Sequence, residues 1–373
     1  MSNTNDQDLG KKFEKEFAKV KQQIQKPNIL IAGATGVGKS SIINMVFGDN
    51  VAVVGTGKPV TQRIDVYESE DVDVRIFDSK GYEIAADDEF FKIVVNMATE
   101  TRNPEYAIHL IWYCIAATGG RVTEYDMKAL DAFSSSNIPV AVVFTKLDLA
   151  SPDDVADMKS TLPESLKDCV FLTTTEIPKL NELKQLIAWS VSKLPESLRF
   201  AFIKSQAVDL EAKKKTANKY IIEHCAAAFS TGFIPIPVSD APILVANEMA
   251  LLARILYLYD LGSVSDMLKS AGLGAIVGEL LTLGGKAVVA ALLKLIPGAG
   301  QLVGGFISGA VGSTITAALG EAASVTSYNI CKARLSGDYT EAEEMIRNFG
   351  PTILEYAKSW IKSGKTVKDI PNQ

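Results

Sequence analysis

The chain has 373 residues, 47% of them hydrophobic, with 38 Lys and Arg against 44 Asp and Glu. That length exceeds one ordinary compact domain and implies two. The net charge of −6 and a pI near 5.3 argue against general nucleic-acid binding driven by charge, while a mean hydropathy of +0.14 is high for a soluble protein.

Cys114, Cys169, Cys225 and Cys331 are far apart and form no C-x-x-C, the pattern of reduced thiols rather than of a zinc site. His109 and His224 are the only histidines, too few to favour a Ser-His-Asp hydrolase or a histidine metal site. His109 sits in the apolar run His109-Leu110-Ile111-Trp112-Tyr113 and reads as a strand-end or core residue.

In chain order, Met1 to Gly10 is polar and lacks the apolar core of a signal peptide, so residence in the cytoplasm is expected. Lys11 to Gln25 carries Phe13, Phe17, Val20 and Ile24 on one helical stripe. This helix packs on a neighbouring domain or lies on a membrane surface.

Ile29-Leu30-Ile31-Ala32 reads as a buried strand. Gly33-Ala34-Thr35-Gly36-Val37-Gly38-Lys39-Ser40 follows as a complete G-x-x-x-x-G-K-[ST] loop, and Ser41 opens a helix. Strand, glycine loop and helix form the context that the motif requires. Glycines let successive N–H groups turn inward onto a triphosphate, and the helix N-terminus adds partial positive charge. Lys39 would place its ammonium on the β- and γ-phosphates, and the Ser40 hydroxyl would take a Mg²⁺ position.

Thr61 lies in a flexible stretch before a strand, where its hydroxyl can serve Mg²⁺ and its N–H the γ-phosphate. The alternating run Asp71 to Phe77 is read as a strand. Asp78-Ser79-Lys80-Gly81 after it offers a carboxylate for Mg²⁺ and a glycine N–H for the γ-phosphate. The catalytic candidates are Lys39, Thr61 and Gly81, and the metal candidates Ser40, Thr61 and Asp78.

Ile108 to Ile115, Val140 to Phe144 and Val170 to Leu172 read as further strands. Asp87 to Thr99, Thr123 to Ser134 and Lys179 to Lys193 carry helical spacing. Such alternation indicates a mainly parallel sheet with helices on both faces. Thr145-Lys146-Leu147-Asp148 sits after the strand ending at Phe144. Asp148 would accept from the guanine N1–H and exocyclic amine, which adenine cannot offer, and the mismatch costs about 1.5–3 kcal/mol. The Lys146 stem would lie along the base. Thr174, in Thr173-Thr174-Thr175, would offer its backbone N–H to the guanine O6.

These residues resemble the translation-factor-like GTPases, with the strongest likeness to the Era/TrmE-type group. The phosphate loop and T-K-x-D are also similar to those of dynamins and immunity-related GTPases. The resemblance runs from about Asn28 to Leu194. It implies an α/β P-loop GTPase domain that takes GTP or GDP with Mg²⁺ on Gly33–Ser41, Thr61, Asp78–Gly81, Thr145, Lys146, Asp148 and Thr174, and that can pair through this domain as a homodimer. Four departures stand out. Thr145 replaces the commoner asparagine. Gly36 stands where TrmE-like proteins carry a potassium-assisting asparagine. Tyr82 follows Gly81 where Ras-like proteins place a water-orienting glutamine. Ser79-Lys80 replaces threonine-proline. Slow intrinsic hydrolysis, accelerated by a dimer or a partner, is therefore expected. Arg121 reads as a surface arginine, with service in trans as the alternative.

After Leu194-Pro195-Glu196 the character changes. Arg199 to Phe229 reads as one long helix. Phe233 to Val238 contains two prolines that forbid helix, and Ser239-Asp240-Ala241-Pro242 opens another helix running from Ile243 to Leu261. Ala271 to Gly320 holds three charges, and Leu295 to Gly320, with none, is long enough to span a bilayer although Pro297 and Gly298 interrupt its start. The expected layout is an amphipathic extension at 1–27, a GTPase domain at 28–194 and an all-α, hydrophobic, glycine-rich domain at 195–373, similar to a helical domain found fused to Era-like GTPases. The expected function is a slow, Mg²⁺-dependent GTPase switch acting on membrane or partner association in the cytoplasm. A non-hydrolysing GTP-binding scaffold and a membrane-embedded GTP-binding protein are the alternatives.

Overall fold

In a computed structural model of the chain, residues 15–48, 58–59, 64–69, 72–79, 104–174, 180–231, 242–261 and 309–371 are described. The chain divides into two compact units: Ile24–Asp209, and Met1–Gln23 together with Leu210–Gln373.

The first unit is a seven-stranded sheet in the order β2-β3-β4-β1-β5-β6-β7. Its strands are β1 (Asn28–Ala32), β2 (Lys58–Pro59), β3 (Ile64–Tyr67), β4 (Arg75–Ser79), β5 (Leu110–Ala116), β6 (Val140–Thr145) and β7 (Val170–Leu172). β4, β1, β5, β6 and β7 are parallel, while β3 runs antiparallel to both β2 and β4. The helices are α1 (Lys39–Phe47), α2 (Glu124–Ser134), α3 (Pro152–Thr161), α4 (Glu164–Lys167), α5 (Leu180–Lys193) and α6 (Glu196–Ser205).

β1 is buried along its whole length, which is why it reads as an unbroken apolar run rather than an alternating one. Its successive side chains enter opposite layers. Leu30 joins Phe77, Ile111, Tyr113, Phe133 and Phe144 on one face. Ile29 and Ile31 join Ile43, Phe47, Trp112, Leu186 and Phe202 on the other. Trp112 carries its indole N–H into that second layer, where it donates to Ser190 of α5 at 3.1 Å.

Three readings of the sequence need adjustment. β4 runs through Asp78 and Ser79 instead of ending at Phe77, because Asp78 pairs with Asp65 of β3 and Ile31 of β1. The segment from Arg199 to Phe229 is two helices, α6 and α7 (Leu210–Thr231). Gln206 breaks it: its amide donates to the carbonyls of Ile203 and Asp209 and accepts the Asp209 N–H, which ends one helix and starts the next. The first unit extends past Leu194 to Asp209, since Phe202 and Val208 are buried in its second layer.

The second unit is helical: α7, α8 (Pro242–Leu258), α9 (Gly309–Leu335), α10 (Tyr339–Arg347) and α11 (Phe349–Lys362). Residues 15–22 are also helical, and Phe17 meets the Tyr257 ring edge-on at 5.2 Å. α9 packs against the four other helices. A Cβ on Gly320 would come within 2.7 Å of Ile221, so α7 and α9 approach at a spacing that only glycine allows. Residues 309–320 form the start of α9. The rest of the apolar stretch Ala271 to Gly320, the proline pair at Phe233 to Val238 and the helix read at Asp87 to Thr99 lie outside the described residues. Among the described residues, no helix is long and apolar enough to cross a membrane.

Candidate functional site

The carboxyl end of β1 runs directly into the loop Gly33–Gly38. Gly33, Gly36 and Gly38 take φ of 136°, 76° and 105°, in the left-handed half of conformational space. A Cβ on Gly33 would lie 2.2 Å from the Cys114 carbonyl oxygen on neighbouring β5, so no side chain fits. α1 then starts at Lys39 with no side-chain cap. Uncapped first-turn N–H groups and the helix dipole suit an anion.

Lys39 is buried, and its ammonium donates to the carbonyls of Gly33 at 3.0 Å and Ala34 at 3.1 Å. The cation is thus held against the loop itself. Ala34, Thr35, Gly36, Ser40 and Ser41 are exposed, while Val37 is buried.

Asp78 lies on β4, next to β1 and the loop that follows it. Its Oδ1 is buried and has no hydrogen-bond partner among the described residues. Burial pushes the Asp78 carboxyl up to about 6; the Lys39 ammonium pulls it down, and Asp65 adds to the rise. A buried carboxylate oxygen without a donor suits a divalent cation, and the exposed Ser40 hydroxyl on α1 supplies a second hard oxygen. The residues present therefore fit Mg²⁺. Thr61, Gly81 and Tyr82 lie outside the described residues.

Thr145 closes β6. Its hydroxyl donates to the Val37 carbonyl, with the Ile115 carbonyl also at 3.3 Å. The threonine found in place of asparagine thus links the T-K-x-D segment to the phosphate loop. Lys146 has φ 56° and ψ 39°, a left-handed turn that redirects the chain at the strand end. The Leu147 N–H then donates to the Thr173 carbonyl at 3.2 Å, and the Thr173 N–H to the Phe144 carbonyl at 2.8 Å. The exits of β6 and β7 are joined in this way. Asp148 is exposed, and its Oδ1 accepts from the Thr174 hydroxyl at 2.9 Å.

The sequence reading of Thr174 concerns its backbone N–H; the structure adds a contact from its hydroxyl to Asp148. Asp65 was not anticipated at the site. The signal was a lone carboxylate between Ile64 and Val66, and it is buried opposite Asp78. His109 stands apart: its Nδ1 accepts the Asn28 N–H at 2.9 Å before β5 begins, and burial lowers its pKa. Arg121 is exposed.

A glycine-rich loop between β1 and α1 of a mostly parallel sheet, with T-K-x-D at the end of β6, defines a P-loop GTPase fold. Residues 28–146 match the family described as 50S ribosome-binding GTPase. GTPase Era of Thermosipho melanesiensis is 25% identical over 175 residues, covering 46% of this chain and 56% of Era. The tRNA modification GTPase MnmE of Janthinobacterium sp. is 28% identical over 171 residues, covering 43% of this chain and 34% of MnmE. The chain spans about half the length of the first of these relatives and a third of the second. A solved structure of an Aquifex aeolicus Era variant bound to GDP·AlF4⁻ aligns with a TM-score of 0.32 and 17% identity over 55% of this chain and 68% of that one. The chain carries an Era/TrmE-like P-loop GTPase domain, followed by a largely helical region.

Proposed function

We propose that the protein is a guanine-nucleotide switch that binds GTP with Mg²⁺, hydrolyses it slowly and changes the engagement of its helical unit with a membrane surface or a partner. The observation that carries this reading is the link from the base-reading segment to the phosphate loop, Thr145 to Val37, with Thr174 holding Asp148 inside that segment. This arrangement supports one ligand with phosphates at one end and guanine at the other. The N–H groups of Gly33–Ser41 would cradle the phosphates, with Lys39 on the β- and γ-oxygens. Ser40, Asp78 and Thr61 would hold Mg²⁺, which when bound neutralises charge on the phosphate oxygens. Asp148, oriented by Thr174, would select guanine. Gly81 and Thr61 would meet the γ-phosphate.

Slow turnover is supported by Tyr82, which follows Gly81 and cannot orient water as glutamine does. Acceleration by pairing of two GTPase domains follows from the same substitution. The membrane or partner role rests on the low charge of Ala271 to Gly320.

Calorimetric titration with GTP, GDP and ATP tests the core of the reading. GTP and GDP should bind with micromolar or better affinity and ATP far more weakly; Lys39→Ala and Ser40→Asn should both weaken binding. Absence of GTP and GDP binding would sink the reading. Single-turnover hydrolysis across protein concentration separates a dimer-activated enzyme, whose rate rises, from a scaffold with no turnover. Liposome flotation with GDP and with a GTP analogue tests the membrane arm.

A further inference from the structure

Asp73 lies in the connection between β3 and β4 and is 3% exposed. Its carboxylate faces two lysines. Lys204 of α6, also 3% exposed, places Nζ 3.3 Å from Oδ2. Lys26 places Nζ 3.9 Å from Oδ1 and donates to the Val72 carbonyl at 3.4 Å. The Asp73 backbone N–H donates to Ser205 Oγ at 2.8 Å.

The two lysines come from particular places. Lys26 belongs to the short segment by which the chain enters this unit at Ile24. Lys204 and Ser205 belong to the segment by which it leaves at Asp209. One carboxylate therefore holds both covalent tethers of the GTPase unit. The hairpin that carries it leads at its other end to the site, because β4 ends with Asp78 and Ser79.

A second route converges on the same exit segment. α1 begins at the phosphate loop and ends at Val46 and Phe47. The Val46 carbonyl accepts the Ala207 N–H at 2.8 Å. The Phe47 ring meets Phe202 of α6 edge-on at 6.0 Å and stacks on Trp112 at 6.0 Å. Both elements that leave the candidate site thus end on residues 202–207.

A buried ion pair is a poor source of net stability, because removing two charges from water offsets their attraction. Its strength is geometric specificity. A slip of the hairpin by one residue moves Asp73 by about 3.3 Å, enough to break both charge contacts. Packed elements shift between discrete arrangements rather than along a continuum, and a pair of this kind marks one of them.

We propose that Asp73 is a relay. A change of hairpin position set by the nucleotide at Asp78 is passed through Asp73 to Lys204 and Lys26, and so to the two tethers. The relay rests on the nucleotide-switch reading above. Its output is the segment of α6 through Asp209 and the segment from Ile24 to Asn28.

Hydrogen–deuterium exchange on the full chain tests it, in the apo form, with Mg²⁺-GDP and with Mg²⁺ and a non-hydrolysable GTP analogue. The amides of 24–28 and 196–209 should differ severalfold in exchange rate between the two nucleotides. Two variants are compared: Asp73→Asn/Lys204→Met, which removes both charges together, and Ser205→Ala, which removes one hydrogen bond and leaves the pair intact. The double variant should lose the difference at 196–209 while binding both nucleotides within about threefold of the parent. Ser205→Ala should reduce it. If both variants keep the full difference, Asp73 is only a structural ion pair and the relay is overturned, while the switch reading stands. If the parent binds both nucleotides but exchange changes only at 33–41, relay and switch fall together. If the parent binds neither, the proposed ligand itself is wrong and the relay falls with it.

Discussion

The Thr174 hydroxyl donates to Asp148 Oδ1 at 2.9 Å, joining the exits of β7 and β6 at the end of the sheet that carries the phosphate loop. Asp148 is exposed, so without this contact its carboxylate would be free to rotate. Thr174→Ala should weaken GTP binding by about fivefold, the weight of one hydrogen bond to a solvated charge, near 1 kcal/mol. Asp148→Asn should instead compress the preference for GTP over ATP. Parallel titrations of the two variants with both nucleotides distinguish orientation from recognition.

Gly33 should tolerate no substitution. Alanine there would combine a positive φ with a Cβ 2.2 Å from the Cys114 carbonyl. Gly33→Ala is expected to lower the stability of the GTPase unit by about 1–3 kcal/mol and to abolish GTP binding. Gly36→Ala meets nothing within 4 Å and bears the strain of φ alone, so it should lose less stability. Thermal denaturation of the two proteins provides the comparison.

Asp78 gives the site a pH dependence. Its carboxyl is raised to about 6 by burial, and a cation takes only the ionised form. Mg²⁺-dependent GTP affinity should therefore fall below about pH 6, approaching tenfold per unit. The effect on stability has the opposite direction. Native Asp78 holds its proton more firmly than the unfolded chain does. Its contribution without ligand is present below the ordinary value of 3.8 and is lost as pH rises through about 6. Asp78→Asn should flatten both profiles, measured by titration and by denaturation in parallel.

Glu248 provides a separate pH signature in the helical unit. It is 6% exposed, Oε1 accepts from the Thr316 hydroxyl at 2.5 Å, and Oε2 has no partner among the described residues. Burial raises its carboxyl to about 8. The neutral acid is therefore the native form near neutrality. Its contribution is complete below the ordinary value of 4.5 and is lost as pH rises through about 8. Between those two values the loss grows by up to about 1.4 kcal/mol per pH unit, and it levels off above about pH 8. Glu248→Gln should remove that slope and melt near the parent temperature at the acid end of the window. An unchanged slope across the window in the variant would show that Glu248 is not responsible.

The phosphate loop was legible in the sequence because its motif is local. A strand, a glycine-rich turn and a helix start follow one another within about twenty residues, and the Thr123 cap that begins α2 is as local, although what excludes a side chain at Gly33 is the distant Cys114 carbonyl. The apolar runs of β1, β5 and β6 were equally plain, since strands buried on both faces cannot alternate. What remained hidden was non-local. Nothing near Asp73 announces Lys204, and nothing near Thr174 announces that its hydroxyl reaches Asp148 rather than solvent. The break between α6 and α7 was missed because a glutamine made it, with no proline or glycine to mark it. β4 was ended early at Phe77 because Asp78 looks like a loop residue until its strand partners are known.

α6 has a consequence for how the P-loop unit can be handled as a module. The nucleotide motifs finish near Thr174 and the sheet at Leu172, so an excision guided by motifs would stop at about Leu194. That cut would remove Phe202, fully buried edge-on against both Phe47 and Trp112, and open the layer beneath the phosphate-loop helix. The compact unit ends at Asp209, and a cut placed after it keeps that layer whole. A graft cut before α6 would carry every candidate nucleotide residue on a sheet with one wall missing.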